Sequence, residues 1–333
     1  MPRTESREQS TGSRVPTPPP SIRVGISACL LGQEVRFDGG HKRDRYITDT
    51  LGKFFEWVPV CPEVEMGLGT RRETLRLVGD PGEPQLVFLK THGDISDGMK
   101  AWAGSRLAAL AAANLSGYIL KSDSPSCGME RVRVYRATGA PSKDGVGLFA
   151  RALMDRFPLL PVEEEGRLHD LPLRENFVER VFSYRRWREL VAGGLTRGKL
   201  VAFHTAHKLL LLAHSPKHYT ELGRLVAGAK GLSPRGLEAR YGALFMAGLA
   251  VKATARKHTN VMQHILGYLK RDLDARDKTE LLSVMADYHR GLVPLVVPLT
   301  LLTHYLARVA VPYLQDQVYL NPHPKELMLR NHV

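Results

Sequence analysis

The stretch IRVGISAC (22–29) has the pattern of a short buried strand that ends at a cysteine. WVPVC (57–61) repeats that pattern, and GYILK (117–121) is a third strand that leads into the loop SDSPSCG. A last strand is expected over 159–164. Helices are expected between the strands, over 44–56, 97–114 and 147–157. Strands that alternate with helices predict a doubly wound α/β domain with a parallel sheet.

The three cysteines of the chain are Cys29, Cys61 and Cys127, and each follows a predicted strand. Ligands of doubly wound sheets bind beyond the carboxyl ends of the strands, so we expect the three thiols to meet at one edge of the sheet. The alternative is three separately buried thiols, the usual state of free cysteines, but their glycine, proline and serine neighbours favour loops. An odd number without a CxxC pair also argues against a disulfide framework.

The second half of the chain has helical patterns throughout and predicts an all-α domain. Helices are expected over 174–192, 196–213, 217–229, 234–251, 254–270, 278–290 and 298–309. We therefore divide the chain into a disordered leader over 1–20, an α/β domain over 21–166 and a basic helical domain over 167–333.

Positive charge is concentrated in the helical half. The net charge of the whole chain is +13, but residues 1–166 carry 22 Lys and Arg against 21 Asp and Glu. Residues 167–333 carry 25 against 13, together with 11 of the 13 histidines. This asymmetry predicts that the helical half attracts a polyanion such as a nucleic acid.

A membrane protein or a secreted one is not expected. The mean hydropathy is −0.20, and no apolar run reaches the roughly 20 residues that a membrane helix needs. The first twenty residues are polar and lack the apolar core of a secretory signal. The sequence therefore predicts a cytoplasmic protein without a membrane partner.

Three thiolates at one sheet edge are suited to a metal. They could complete a zinc site with a fourth ligand such as His41, or hold an iron–sulfur cluster with one iron left open. The spacing of the cysteines alone does not choose between iron and zinc.

Three segments that contain these cysteines resemble the thiouracil desulfidase family. They are SACLLGQEVRFDGG (27–40), VCPEVEMGLGTRRE (60–73) and LKSDSPSCG (120–128). The resemblance spans roughly residues 22–166. It implies an α/β fold in which Cys29, Cys61 and Cys127 hold a [4Fe–4S] cluster whose fourth iron is open.

Four segments of the second half resemble a helical family of unknown function: 206–227, 256–270, 291–306 and 319–333. The fusion of both domains is similar to the RNA thiouracil desulfidases, which remove sulfur from 4-thiouridine in transfer RNA. The resemblance implies tRNA as the partner, held with the help of the helical domain, and no obligatory protein partner. No stretch matches a standard RNA-binding module such as an RRM or KH domain.

The same resemblance implies a hydrolytic reaction without redox change. The thiocarbonyl sulfur binds the open iron, which makes the ring carbon more electrophilic, and water then adds to that carbon. Water addition needs a general base, for which Glu63 is the first choice. Glu65, expected on the same side of an extended segment, and Asp38 are the alternatives.

Side chains of the third cysteine loop complete the expected site. Ser124 and Ser126, with Ser122 beside them, could hydrogen-bond cluster sulfides or orient the base, and Lys121 could stabilise negative charge. Serines in loops often only satisfy backbone amides, and Glu63 could simply cap its segment.

Five polar side chains of the predicted helical domain are the candidate RNA contacts: Lys252, Arg256, Lys257, Asn260 and His264. The last three share one helical face, although such a face is often only solvated. A second polar group could form a histidine-lined metal site; it comprises His207, His214, Lys217 and His218.

Two other functions stay open at this point. The chain could be a desulfidase of free thiouracil or a thionucleoside, which would need no basic helical domain. It could also be a non-catalytic nucleic-acid binder that senses oxidation through its cluster, which would need neither Glu63 nor an open iron.

Overall fold

The structure, a computed structural model, describes residues 22–136, 138–309 and 311–332, so the predicted leader lies outside it. Its first half contains β1 (Ile22–Ser27), β2 (Phe55–Val60), α1 (Pro62–Glu65), β3 (Leu75–Asp80), β4 (Glu83–Phe88), α2 (Ser96–Ala112), β5 (Gly117–Leu120), β6 (Val132–Tyr135), β7 (Ser142–Gly145), α3 (Leu148–Arg156) and β8 (Val162–Glu164). The second half contains α4 (Leu171–Ala192), α5 (Arg197–His214), α6 (Pro216–Ala227), α7 (Pro234–Ala250), α8 (Ala255–Leu269), α9 (Ala275–His289), α10 (Val296–Arg308) and α11 (Pro312–Gln315).

The first sheet has the strand order β2-β1-β5-β8, and all its pairs are parallel. Because β1 lies between β2 and β5, the chain winds to both sides of its first strand. The predicted parallel α/β fold followed by an all-α part is therefore confirmed. This order also places the carboxyl ends of β1, β2 and β5 side by side, at the edge where the cysteines were expected.

The helix predicted over 44–56 is confirmed in part. The chain is helical over Tyr46–Thr50 and Leu51–Lys53, as a π turn followed by a 3-10 turn, and β2 begins at Phe55. Ile47 and Leu51 are both buried and lie one turn apart, so the helical spacing of buried apolar residues lasts for only one turn. Phe55 is also buried, but as the first residue of the strand.

A second sheet was not expected from the sequence. It has the strand order β4-β3-β6-β7, with β3 and β4 joined as an antiparallel hairpin and β3 parallel to β6. Leu75 and Leu77 point inward from β3, while Arg76 between them is partly exposed. That alternation is the pattern of a half-buried strand, but it lasts only a few residues.

Helices cover both faces of the first sheet. Leu107 of α2 and Phe149 of α3 belong to the core on one face. Phe177 and Val181 of α4 belong to the core on the other face, together with Val24 of β1. The first helix of the second half therefore completes the α/β layers of the first half.

The chain end returns to the same helix. Leu327 and Leu329 join the core beneath the first sheet. Arg330 is buried and pairs with Glu175 at 3.2 Å and with Glu179 at 2.8 Å, both on α4. Removal of one partner of such a buried pair lowers the free energy of unfolding by several kcal/mol, because the other charge stays buried and unpaired.

Polar caps set the starts of several helices of the second half. The side chains of Thr196, Ser215 and Ser233 accept backbone N–H bonds at the first turns of α5, α6 and α7. The helix expected over 278–290 begins three residues earlier, at Ala275, because Asp274 caps α9. Within the described ranges no helix combines the length and apolarity that a membrane crossing requires.

Packing of α4 on the first sheet can be tested at Gly117. A Cβ atom there would lie 2.7 Å from Val181 Cγ2. We expect Gly117→Ala to lower the free energy of unfolding by about 1–3 kcal/mol and Val181→Ala to relieve much of that loss in the double variant.

Gly104→Ala, in open space on α2, is the control and should stabilise by about 0.5–1 kcal/mol. Urea unfolding is measured for the wild type and these four variants, and equal losses in Gly117→Ala and in the double variant would contradict the packing.

Candidate functional site

The three cysteines line one cavity of about 310 Å³ at the carboxyl ends of the first sheet. Cys29 lies in a short turn that directly follows β1, and Cys61 directly follows β2 as the residue that precedes α1. Cys127 lies in the loop after β5. The topology thus brings together thiols that are up to 98 residues apart in the sequence.

All three thiols are also buried, with exposures of 8% for Cys29, 9% for Cys61 and 5% for Cys127. Burial raises the pKa of Cys29 to about 11, against the opposing positive charges of Lys121 and Arg36. Burial raises the pKa of Cys61 to about 12, helped by the negative charge of Glu63. The pKa of Cys127 is raised as well, again mainly by burial. Without a cation in the cavity, these groups are therefore protonated thiols at neutral pH.

Glu63 lies beside the second cysteine. The Cys61 thiol donates to Glu63 Oε2 at 3.5 Å, and Arg72 Nη2 lies 3.7 Å from the same oxygen. Arg72 also donates through Nη1 to the backbone oxygens of Val35 and Gly69. It therefore ties the loop after β1 to the segment after α1 and holds a positive charge against the carboxylate.

Arg72 was not singled out from the sequence, although it stands in the segment 60–73 that carries the family resemblance. A surface arginine and a buried one have the same sequence pattern, so only the contacts distinguish them.

The alternatives to Glu63 lie elsewhere. Residues 62–65 form a helical turn instead of the expected extended segment, so Glu65 turns away from Glu63. Glu65 pairs with Arg106 at 2.9 Å and accepts the backbone N–H of Cys61. Asp38 is exposed and outside the cavity lining, and its bond from the Gly40 N–H lowers its pKa. The expectation that Glu65 shares a side with Glu63 is therefore wrong.

Lys121 lies in the cavity wall and is held by a carboxylate that the sequence analysis missed. Its Nζ donates to Glu165 Oε1 at 2.5 Å, and the Ser122 hydroxyl donates to the same oxygen at 2.8 Å. The backbone N–H of Lys121 donates to Ser27 Oγ, which also lines the cavity. Ser27 ends β1 directly before the first cysteine turn, and that position was its only sequence signal.

The other two serines have different surroundings. Ser124 Oγ lines the cavity and accepts the backbone N–H groups of Ser126 and Cys127, so it shapes the loop. Ser126 is buried outside the cavity lining, and its Oγ finds no hydrogen-bond partner among the described residues. The position of Ser126 does not bring it to the thiols directly.

Spacing of the sulfur atoms tests which metal the site fits. Among the described residues the three cysteine sulfurs do not all lie within 4.8 Å of one another. Zinc at 2.3 Å from each ligand would need sulfurs about 3.8 Å apart. The wider spacing fits an iron–sulfur cluster better than a single zinc ion, and thiolate ligands suit either metal. His41, the expected fourth zinc ligand, does not line the cavity.

A groove of about 720 Å³ lies between α8 and α9 in the helical half. Two of the expected RNA contacts, Arg256 and Asn260, line it. His289 and Arg290 line its other side and were not predicted, because the pairing of α8 with α9 is a tertiary feature. Leu282 gives the groove an exposed apolar patch.

The other three candidates do not line this groove. Lys257 turns inward and donates through Nζ to the backbone oxygens of His214 and Lys252, so it serves the packing of the helices. Lys252 and His264 are exposed outside the groove.

The suggested histidine metal site does not form. His207 is buried against the Phe203 carbonyl, and burial lowers its pKa to about 3. His214 contacts Glu179 at 3.0 Å, whereas His218 contacts Ser215. Lys217 is exposed. The one group that the described residues bring within metal-binding distances is Glu175, Glu179 and His323, where Arg330 already pairs with both carboxylates.

Sequence comparisons match both halves of the chain. Residues 24–165 match the family described as 2-thiouracil desulfurase, and residues 208–324 match a protein family of unknown function, DUF1722. The uncharacterized protein YbgA of Escherichia coli K12 is 33% identical over 155 residues, which cover 46% of this chain and 90% of the relative. The uncharacterized protein YbbK of Bacillus subtilis 168 is 32% identical over 108 residues, which cover 31% of this chain and 71% of the relative. The first half of the chain, over residues 24–165, belongs to the 2-thiouracil desulfurase family.

A solved structure described as the [4Fe–4S]-dependent thiouracil desulfidase TudS is 31% identical. The match covers 46% of this chain and 97% of that one, with a TM-score of 0.38. The residues that match the desulfurase family include all three cysteines, Glu63, Arg72 and Lys121. The groove between α8 and α9 lies within the part that matches DUF1722.

The raised thiol pKa values predict a pH-dependent stability of the cluster-free desulfurase-family chain. Burial raises the pKa of Cys29 from 9.0 to about 11, so the folded state binds the thiol proton more tightly than the unfolded state does. This stabilisation is complete below pH 9 and is lost as the pH rises to 11. By pH 10 the loss is about 1.4 kcal/mol.

Urea unfolding of reduced, cluster-free protein at pH 7.5 and pH 10 checks this. The wild type should lose about 1.4 kcal/mol more stability than Cys29→Ser between the two pH values. Equal losses in both proteins would contradict the burial of an ionisable thiol at this position.

Proposed function

We propose that the chain is a [4Fe–4S]-dependent desulfidase that converts 4-thiouridine in transfer RNA to uridine. The observation that carries the proposal is the cavity in which all three cysteines meet beside Glu63. Membership of the 2-thiouracil desulfurase family supports the reaction class. The basic helical half with its groove supports a polyanionic substrate.

The cluster would be held by Cys29, Cys61 and Cys127. With three thiolate ligands a cubane cluster keeps one iron open, and this iron supplies a soft Lewis acid for a thiocarbonyl sulfur. Binding of iron by thiolates also requires the thiol protons to leave, which the nearby positive charges of Lys121 and Arg36 favour at Cys29. These two side chains line the same cavity.

Glu63 is the proposed general base. Its carboxylate takes a proton from the water that adds to the ring carbon, so that water supplies the new carbonyl oxygen and the sulfur leaves as sulfide. No oxidant or reductant is needed, because a thiocarbonyl and water give a carbonyl and hydrogen sulfide. Arg72, which contacts Glu63 Oε2, keeps the carboxylate oriented at the second cysteine.

The cation at Lys121 is the proposed stabiliser of negative charge that develops on the substrate. Its pairing with Glu165 fixes its position in the cavity wall. Ser124 contributes by holding the backbone of the third cysteine loop. Asp38 and Ser126, both outside the cavity lining, have no direct step in this proposal.

The RNA would lie against the groove between α8 and α9. Arg256 supplies a phosphate contact, while Asn260 and His289 offer hydrogen bonds to the sugar or base edges. The thiolated base is buried in the RNA stack, so it must be flipped out to reach the cysteine cavity.

Replacement of the base tests the chemistry. Glu63→Gln should lower the rate of sulfur removal from thiolated tRNA by about 10²–10⁴-fold, because the amide cannot accept the water proton. Cluster absorbance and RNA affinity should stay at wild-type levels. The assay follows the near-ultraviolet thiocarbonyl absorbance under anaerobic conditions.

Glu65→Gln is the matched control for this experiment, since Glu65 points to Arg106 and should leave the rate within a few-fold of wild type. Equal activity of Glu63→Gln and wild type would remove Glu63 from the mechanism. Cluster and RNA binding without any sulfur removal by the wild type would favour a redox sensor instead.

Charge reversal in the groove tests the substrate class. Arg256→Glu should lower the ratio of kcat/KM for thiolated tRNA to kcat/KM for free thiouracil by about tenfold or more, because it removes a phosphate contact and adds repulsion. Lys252→Glu changes an equally exposed charge outside the groove and should lower that ratio much less. If the ratio stays constant in Arg256→Glu, the docking role of the groove is wrong and a free-base desulfidase is favoured.

A further inference from the structure

A second cleft, of about 280 Å³, opens directly beside the cysteine cavity. Thr74, Leu75, Asp123 and Pro125 line both spaces, so the two are adjacent. The remainder of the cleft lies along the second sheet, where its polar lining comes from three side chains: Arg76, Arg133 and Tyr135. We call this space the arginine cleft.

The two arginines are neighbours across parallel strands. Leu77 pairs with Val134 and Val78 with Tyr135, so one step back along both strands places Arg76 beside Arg133. Adjacent strands lie about 4.8 Å apart, and like charges at directly neighbouring positions destabilise a sheet. A sheet that keeps two such charges together gains stability when an anion binds between them.

The described structure gives these guanidinium groups few partners of opposite charge. Arg133 is exposed and forms no ion pair with a described residue. Arg76 contacts His92 Nδ1 through Nη2 at 3.3 Å, and its buried Nε has no hydrogen-bond partner among the described residues. Asp123 is the acidic side chain of the lining, and it stands at the junction with the cysteine cavity.

Tyr135 adds an aromatic surface to the cleft. The Arg76 guanidinium lies 5.4 Å from the centre of the Tyr135 ring, within the range of a cation–π contact. A partly exposed ring beside arginines is the arrangement on which nucleic-acid bases stack. The cleft therefore joins two features of single-stranded RNA binding, a phosphate contact and a stacking surface.

We propose that the arginine cleft binds the RNA strand next to the thiolated nucleotide, with Arg76 and Arg133 on one phosphate and a neighbouring base on Tyr135. The proposal rests on the proposed RNA substrate. A nucleotide flipped into the cysteine cavity would bring its adjoining phosphate toward the adjacent cleft, and paired guanidinium groups match phosphate oxygens. A free thiouracil base cannot use these contacts, so the cleft contributes to substrate selection.

Salt-dependent RNA binding tests the cleft without relying on catalysis. The probe is an unthiolated, fluorescently labelled single-stranded RNA, and its affinity for the full chain is measured by anisotropy at several salt concentrations. Arg133→Ala should reduce the slope of log K against log[salt] by about 0.7, the value expected for the loss of one phosphate contact on a single strand. Because the side chain is exposed and its removal relieves the repulsion from Arg76, the substitution should not lower the urea midpoint.

Lys53→Ala is the matched control. Lys53 is exposed and precedes β2, at the end of the first sheet opposite the cysteine cavity, so its removal should leave the slope unchanged. Tyr135→Ala should weaken binding about fivefold or more, whereas Tyr135→Phe, which keeps the aromatic face, should bind like the wild type.

Each outcome decides between the two proposals. Wild-type protein that binds neither this probe nor thiolated tRNA would overturn the proposed RNA substrate and this cleft with it, and wild-type protein that binds only the tRNA would overturn the cleft alone. Wild-type protein that binds RNA, with Arg133→Ala indistinguishable from Lys53→Ala, would overturn the cleft alone. A reduced slope in Arg133→Ala but not in Lys53→Ala, with aromatic rescue at Tyr135, would support it.

Discussion

Burial of three thiols around one cavity imposes an electrostatic constraint on everything near them. Three thiolates in a poorly solvated space repel one another, and Glu63 beside Cys61 adds a fourth negative group. The cavity can be stable with protons on the sulfurs or with a bound cation that replaces them. Arg72, beside Glu63, and Lys121, directly after β5, offset part of this negative charge. Both cations are therefore held by fixed partners and do not extend into solvent.

Holding the three loops at fixed separations requires a rigid sheet, and the helical half supplies part of that rigidity. Phe177 and Val181 of α4 pack on the face of the first sheet that α2 and α3 leave uncovered. The buried pairs of Arg330 with α4 then fix the chain end against the same helix. The second half is therefore part of the scaffold of the cysteine site, in addition to any role in binding a substrate. A first half without α4 would expose an apolar sheet face to water.

Sequence patterns predicted the features that depend on local periodicity and on the parallel topology of the sheet. The apolar runs before Cys29 and Cys61 identify the strands, and the topology then places the thiols at one edge. Patterns could not reveal contacts between distant segments. Arg72 has the sequence pattern of any surface arginine until its bonds to Val35 and Gly69 are seen. The direction of Glu65 depended on one helical turn too short to leave a periodic signal.

The net charge of each half of the chain also does not show where positive potential lies on the surface. The first half is nearly neutral in sum, yet two of its acidic side chains are held in ion pairs within the fold. Glu163 pairs with Arg167 of the second half, and Glu165 pairs with Lys121. These two carboxylates therefore do not offset the charge of Arg133, which stays exposed on the second sheet. Local potential depends on which charges remain unpaired at a surface, so a near-neutral domain can still present a cationic cleft beside its reactive cavity.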